Sequence, residues 1–335
     1  MRKPLLGLVV FSFLLTGTPS ARAEQQIVLK FSHVTTADTP KGRAAEFFKM
    51  RAEGLTKGRV KVEVYPNSQL FKDAEEFDAL AKGQVQMLAP TLGKVSSLGF
   101  REFEIFDIPY LFPTKASLQR VQDGPIGKGL LKRLESKGFL GIAYWDNGFK
   151  IMSANRPLLA PADMRGLKVR IQNSKMVDMQ MRALGAVPQV LALNEAFQAL
   201  QSGTLDGTEN PPSNMYTQKM YEVQKYAVDT NHGYLGYAVV TNKKFWDELP
   251  ADVRTLLEQA LRDATRYANA ISQQDNDDAL AVIERSGKTR VAHLSDTQRK
   301  AWRQALAPVQ KEAEARVGTD LIKAINKEVA ILGGG

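Results

Sequence analysis

Short apolar strands alternating with helices near the start of the chain restrict its fold more than any other feature. Ile27, Leu29 and Phe31 alternate with Val28, Lys30 and Ser32, and Val60, Val62 and Val64 alternate with Lys61 and Glu63. That is the period of strands with one face turned to a core. Between them, Asp38-Thr39-Pro40 offers a cap and a first-turn proline for a helix running to about Thr56, and Gly58 ends it. Asp73 to Lys82 reads as a second helix closed by Gly83, and Val85 to Ala89 as a short strand. This β-α-β-α-β order predicts an α/β fold, a sheet with helices on both faces.

The same alternation resumes further on. Leu92 to Pro113, rich in aromatics with interspersed Pro and Gly, reads as a packed, irregular crossover. Lys115 to Lys137 is helical with an interruption near Gly124-Pro125, and Phe139 to Trp145 is an apolar strand. A second α/β unit begins near Asn147. Its strands are Phe149–Ser153, Leu167–Ile171 and Ala186–Val190, and its helices Lys175–Leu184 and Glu195–Ser202. Asp206 to Pro212 reads as a loop, because paired prolines cannot sit inside a helix. Tyr234 to Thr241 returns as a strand, and a helical pattern then runs from Ala251 to about Arg285. A helix of that length spans roughly 50 Å, enough to bridge two lobes. Thr289–Leu294 is a last strand, and Ser295-Asp296 starts the closing helices. A chain of 335 residues is about twice a typical domain, which also favours two lobes.

The first residues read as an address. Arg2 and Lys3 precede an apolar run from Leu5 to Leu15, and Ala21-Arg22-Ala23 is a small-x-small cleavage site, the pattern of a signal peptide over residues 1–23. At ~1.5 Å per residue that run covers only about half of a ~30 Å hydrocarbon core. The mature chain, from Glu24, is expected outside the cytoplasm. With no cysteine it cannot be anchored by a lipid on that residue. The missing thiols also exclude disulfides, thiolate metal sites, iron–sulfur clusters and a cysteine nucleophile. Three histidines, His33, His232 and His293, leave little for a histidine-rich metal site. The formal charge is +9, but the basic residues are spread singly among acids, so no nucleic-acid surface is expected.

Catalytic signatures are absent: the chain contains no G-x-S-x-G, H-E-x-x-H, P-loop or G-x-G-x-x-G pattern. Asp275-Asn276-Asp277-Asp278 lacks the glycine and late glutamate of a calcium loop. In Gly166-Leu167-Lys168-Val169-Arg170-Ile171, Leu167, Val169 and Ile171 face the core while Lys168 and Arg170 face the other way. Taken alone, Arg170 reads as a surface strand residue, Asn210 as a turn residue and Lys150 as a solvated lysine.

Several longer stretches carry a resemblance. These are LKFSHV at 29–34, VEVYPNSQLF at 62–71, DIPYLF at 107–112, WDNGFK at 145–150, SANRP at 153–157, GLKVRIQNS at 166–174, DGTENPPSN at 206–214 and TNHGYLGYAVV at 230–240. Together they resemble the periplasmic solute-binding subunit of tripartite ATP-independent periplasmic (TRAP) transporters, the DctP family, over essentially the whole mature chain. The resemblance implies the two-lobed periplasmic-binding-protein fold, with hinge strands and a long lobe-spanning helix. Residues 24–147 with 236–275 would form one lobe, and 148–235 with 276–335 the other. It implies that Arg170 pairs with a ligand carboxylate and that Asn210 hydrogen-bonds the same end. At Lys150 many relatives carry a second arginine, and WDNGFK resembles the C4-dicarboxylate branch, where the ammonium would meet the far carboxylate. His33 and Thr91 fall where first-lobe contacts occur, and Trp145, Asn214 and Tyr237 are expected to line the cleft.

The function so implied is capture of a small organic anion such as malate, succinate or fumarate, without catalysis, cofactor or metal. A monomer would deliver it to membrane permease subunits. Two other readings stay open at this point: a ligand of another carboxylate class (a sugar acid, keto acid or aromatic acid), and a secreted enzyme acting on organic acids.

Overall fold

The computed structural model describes residues 26–333; the signal-peptide segment and its cleavage site lie outside the described residues. The first half carries β1 (Ile27–Ser32), α1 (Pro40–Leu55), β2 (Val60–Tyr65), α2 (Glu76–Ala81), β3 (Met87–Leu88), α3 (Leu92–Val95), α4 (Lys115–Asp123), α5 (Pro125–Arg133) and β4 (Phe139–Phe149). Next come β5 (Ile151–Ala154), β6 (Lys168–Ile171), α6 (Lys175–Ala183), β7 (Val187–Val190), α7 (Ala196–Gln201), β8 (Gly207–Asn210), α8 (Pro212–Thr217) and β9 (Tyr226–Val228). The chain closes with β10 (Tyr234–Asn242), α9 (Lys243–Asp247), α10 (Ala251–Arg285), β11 (Arg290–Ala292), α11 (Asp296–Val317) and α12 (Thr319–Gly333).

These strands form two mixed sheets, ordered β2-β1-β3-β10-β4 and β11-β9-β5-β8-β6-β7. In the first, Ile27, Leu29 and Phe31 stand opposite Val60, Val62 and Val64 in parallel register. Leu29, Phe31, Val60 and Val62 pack with Phe48 of α1 and with Leu257, Leu261 and Ala264 of α10 in one apolar core. As the sequence predicts, Thr39 caps α1: its hydroxyl accepts from the Gly42 N–H at 3.0 Å, with Pro40 in the first turn. In the second sheet, β6 runs parallel to β7 and β8, and β5 runs antiparallel to β8 and β9.

The chain crosses between the sheets at Lys150, between β4 and β5, and again over residues 229–233, between β9 and β10. The crossings run side by side, since the Lys150 N–H donates to the Gly233 carbonyl at 2.9 Å. Helix α10 is the third link. It packs on α1 and β4 beside the first sheet and on α8 and β11 beside the second. Its apolar face is continuous from Val253 to Ala268, becomes polar at buried Ser272 and Asn276, and turns apolar again at Ile283.

Three local expectations are corrected. Residues 207–210 are not a loop but β8, inside the second sheet; the prolines forbid only a helix interior, so the strand ends at Asn210 and Pro212 opens α8. Val85–Ala89 pairs as a strand only over Met87–Leu88. The crossover at 92–113 contains α3 and 3-10 turns, whose Phe103, Ile105 and Phe106 are buried.

Candidate functional site

A narrow crevice lies between the sheets. The first sheet's side contributes Thr35, Asp73 and Thr91, and the second contributes Arg170, Gln172, Asn210 and Asn214. Leu235 and Tyr237 of β10 form its floor, and Thr91 is held there by an antiparallel bridge to Tyr237.

Arg170 is set by strand alternation. Val169 and Ile171 bury into the core, so Arg170 emerges on the opposite face, beside Thr208 of β8. That face is not solvent: Arg170 is 3% exposed, which corrects its reading as a surface residue. Its Nε donates to the Leu191 carbonyl at 2.9 Å. Among the described residues no carboxylate lies at ion-pair distance from it. Burial lowers its pKa while Asp73 and Glu209 oppose the shift, and a guanidinium stays charged under either influence. A buried cation without a bonded anion is costly, and an anionic group placed here would offset that cost.

The neighbouring groups are oriented around the guanidinium. Asn210, at the end of β8, donates from Nδ2 to the Thr208 hydroxyl at 2.9 Å. Asn214, in the first turn of α8, accepts from Asn147 Nδ2 at 3.1 Å. Asn276 of α10 in turn receives the Ser213 N–H at 3.0 Å and donates to the Asn147 carbonyl at 2.5 Å. The long helix thereby fixes Asn147 and, through it, Asn214 next to the crevice. The Tyr237 hydroxyl sits beside Asn214 without a hydrogen bond of regular geometry, and among the described residues Gln172 Nε2 has no partner.

Three expected contacts are elsewhere. Lys150 does not line the crevice: its Nζ is 2.8 Å from Glu209 Oε2, and both side chains are buried at the strand crossing. Burial pushes the Glu209 carboxyl up, but Lys150 and His232 together hold it below the usual value. Burial lowers His232, and its Nε2 is 3.5 Å from the same carboxylate. Trp145 is fully buried in the first core, with Nε1 donating to Thr265 of α10 at 3.0 Å. His33 is fully buried behind Thr35, whose hydroxyl is 3.3 Å from Nδ1. Conversely, Thr35, Asp73 and Gln172 line the crevice without having been singled out. Gln172 could have been: it is two residues beyond Arg170, just past the end of β6, and continues the alternation of that strand.

A family model for bacterial extracellular solute-binding protein family 7, DctP, matches residues 31–316. This chain belongs to the DctP family. It is 53% identical to the C4-dicarboxylate-binding periplasmic protein DctP of Rhodobacter capsulatus, over 98% of this chain and 99% of that one. It is similar in structure to a TRAP periplasmic solute-binding protein of Shewanella oneidensis crystallised with succinate, with TM-score 0.89 and 38% identity over 91% and 99% of the two chains. A counterpart from Pseudomonas aeruginosa with bound L-malate gives 0.83 and 41%, over 85% and 99%.

The two sheets of this DctP-family chain are therefore the lobes of a TRAP binding protein, and the crevice lies between them. Among the described residues no group of three or more His, Asp or Glu side chains is placed to hold a metal, and no helix is long and apolar enough to cross a membrane.

Proposed function

We propose that this chain captures a C4-dicarboxylate, of the succinate, malate and fumarate type, outside the cytoplasm and delivers it to TRAP permease subunits. The observation that carries the reading is Arg170, a buried guanidinium at the interlobe crevice with no carboxylate of its own. Its planar fork matches one carboxylate bidentately. Asn210 and Asn214 present amides to the same end, and Thr91 and Tyr237 present hydroxyls from the other side. Closure brings these two sets together, so the ligand favours the closed arrangement over the open one. The names of the relatives support the dicarboxylate class. The amino-terminal signal pattern supports export from the cytoplasm. Nothing in the crevice resembles an activated nucleophile or an acid–base pair, which supports binding without turnover.

A thermal-shift panel of succinate, L-malate, fumarate, monocarboxylates, sugar acids and aromatic acids tests this, followed by calorimetry on the best. The C4 diacids are expected to raise the melting point, and NMR to recover them unchanged. Stabilisation by another acid class with none by the C4 diacids overturns the ligand assignment.

A further inference from the structure

Resting on the dicarboxylate reading, a second cation is required for the far end of the ligand, and Lys150 is unavailable because Glu209 holds it. We propose that Lys41 is that cation: a first-lobe ammonium that pairs with the distal carboxylate and makes the site selective for diacids.

Lys41 stands in the first turn of α1 and is 1% exposed. It is not itself a lining residue, but its ammonium lies directly behind two lining elements. Nζ donates to the Ala89 carbonyl at 3.1 Å, two residues before crevice-lining Thr91. It also sits 3.9 Å from the ring centroid of Tyr237, the crevice floor. An ammonium has three donors, and one backbone carbonyl uses one of them. Among the described residues no carboxylate is at ion-pair distance from Lys41. The acids nearest to it are committed elsewhere: Glu76 is 2.6 Å and Asp73 3.5 Å from Lys94 Nζ. Arg170 and Lys41 are thus two buried cations without bonded carboxylates, contributed by opposite lobes. A short diacid bridging them would neutralise both and tie the lobes together.

The groups facing Lys41 are Glu76 and Asp73 from the α2 region, Lys94 of α3, His33 after β1 and the Tyr237 ring of β10. Burial brings the Lys41 ammonium down to about 8; the carboxylates of Glu76 and Asp73 raise it and Lys94 lowers it. His33, held down to about 3, is neutral at any pH of interest, and burial keeps the Tyr237 hydroxyl protonated. A ligand carboxylate favours the charged ammonium and raises its pKa. Binding near pH 8.5 should therefore take up a proton, and binding near pH 6.5, where Lys41 is already charged, should not.

The test is titration calorimetry with succinate in buffers of different ionisation enthalpy at both pH values. It uses the mature protein, Lys41→Met and Lys41→Arg. The parent is expected to take up a substantial fraction of a proton per succinate at pH 8.5. Lys41→Met should lose about 30-fold or more in affinity at pH 6.5. Lys41→Arg should keep part of that affinity and show no uptake. A lysine that only fills space would affect melting but leave proton uptake unchanged. Lys41→Met binding within about threefold of the parent overturns the proposal, as does a parent that binds succinate at pH 8.5 without uptake. The second result needs no variant, so it stands even if Lys41→Met does not fold. A parent that ignores succinate altogether removes the dicarboxylate reading, and the Lys41 assignment with it.

Discussion

Arg170 shows what one side chain contributes here. Its hydrogen bond to Leu191 offsets part of the cost of burying it, and under the proposed function a ligand carboxylate would offset the rest. Removing one member of a buried charge pair costs ~3–5 kcal/mol, so Arg170→Ala should weaken dicarboxylate binding by on the order of 100- to 1,000-fold or more, measured by calorimetry. Glu209 is different, because its partner Lys150 is part of the fold. Glu209→Gln leaves a buried ammonium unpaired and should lower stability by roughly 3–5 kcal/mol in urea titrations at pH 7. His33 makes a third residue-scale prediction. Burial and Lys41 hold it neutral down to about pH 3, whereas in the unfolded chain it takes a proton near 6.5. Its contribution is full above 6.5 and is lost as pH falls through that window. Between pH 6.5 and 5 this amounts to about 2 kcal/mol, and His33→Gln should remove that part of the slope.

At the scale of elements, the junction of β4 with α10 decides how the lobes are joined. Gly148 lies in β4 at φ +146°, where side chains are rarely tolerated, and a Cβ there would stand 2.5 Å from Asn276 Nδ2. Gly148→Ala should therefore cost roughly 1–3 kcal/mol in stability, read by urea denaturation. The same change should weaken ligand binding, because Asn276 holds Asn147 and Ser213 beside Asn214. The strands and helices were legible at this scale wherever a period was clean, as in Ile27–Phe31, Val60–Val64 and the long pattern of α10. β8 was not legible. Its four residues, Gly-Thr-Glu-Asn, are polar, and they form a strand because β5 and β6 supply hydrogen bonds on both sides.

For the whole molecule, the lobes are joined by two backbone crossings, by α10, and by the closing helices, of which α11 packs on both α6 and residues 101–107 and α12 on α4; the crevice-lining groups are divided between the two sheets. A ligand that engages both sides stabilises the closed form and the folded state together. Saturation at about 100 times Kd should add about 2.7 kcal/mol and raise the melting point by several degrees. Small-angle scattering should show the radius of gyration falling as succinate is added, and no fall if the lobes do not close on it.

The chain's own pattern determined the α/β alternation, the two units, the lobe-spanning helix and the face of β6 from which Arg170 projects, since each follows from local periodicity. Its similarity to a known family pointed to Arg170 and Asn210, which the fold places on the neighbouring strands β6 and β8. Burial could not be read in one dimension. Arg170 and Lys150 are both basic residues in or next to apolar strands, yet one borders the interlobe crevice and the other meets a glutamate 59 positions away. Which cation is satisfied depends on what the opposite sheet brings within about 3 Å, and only tertiary packing decides that.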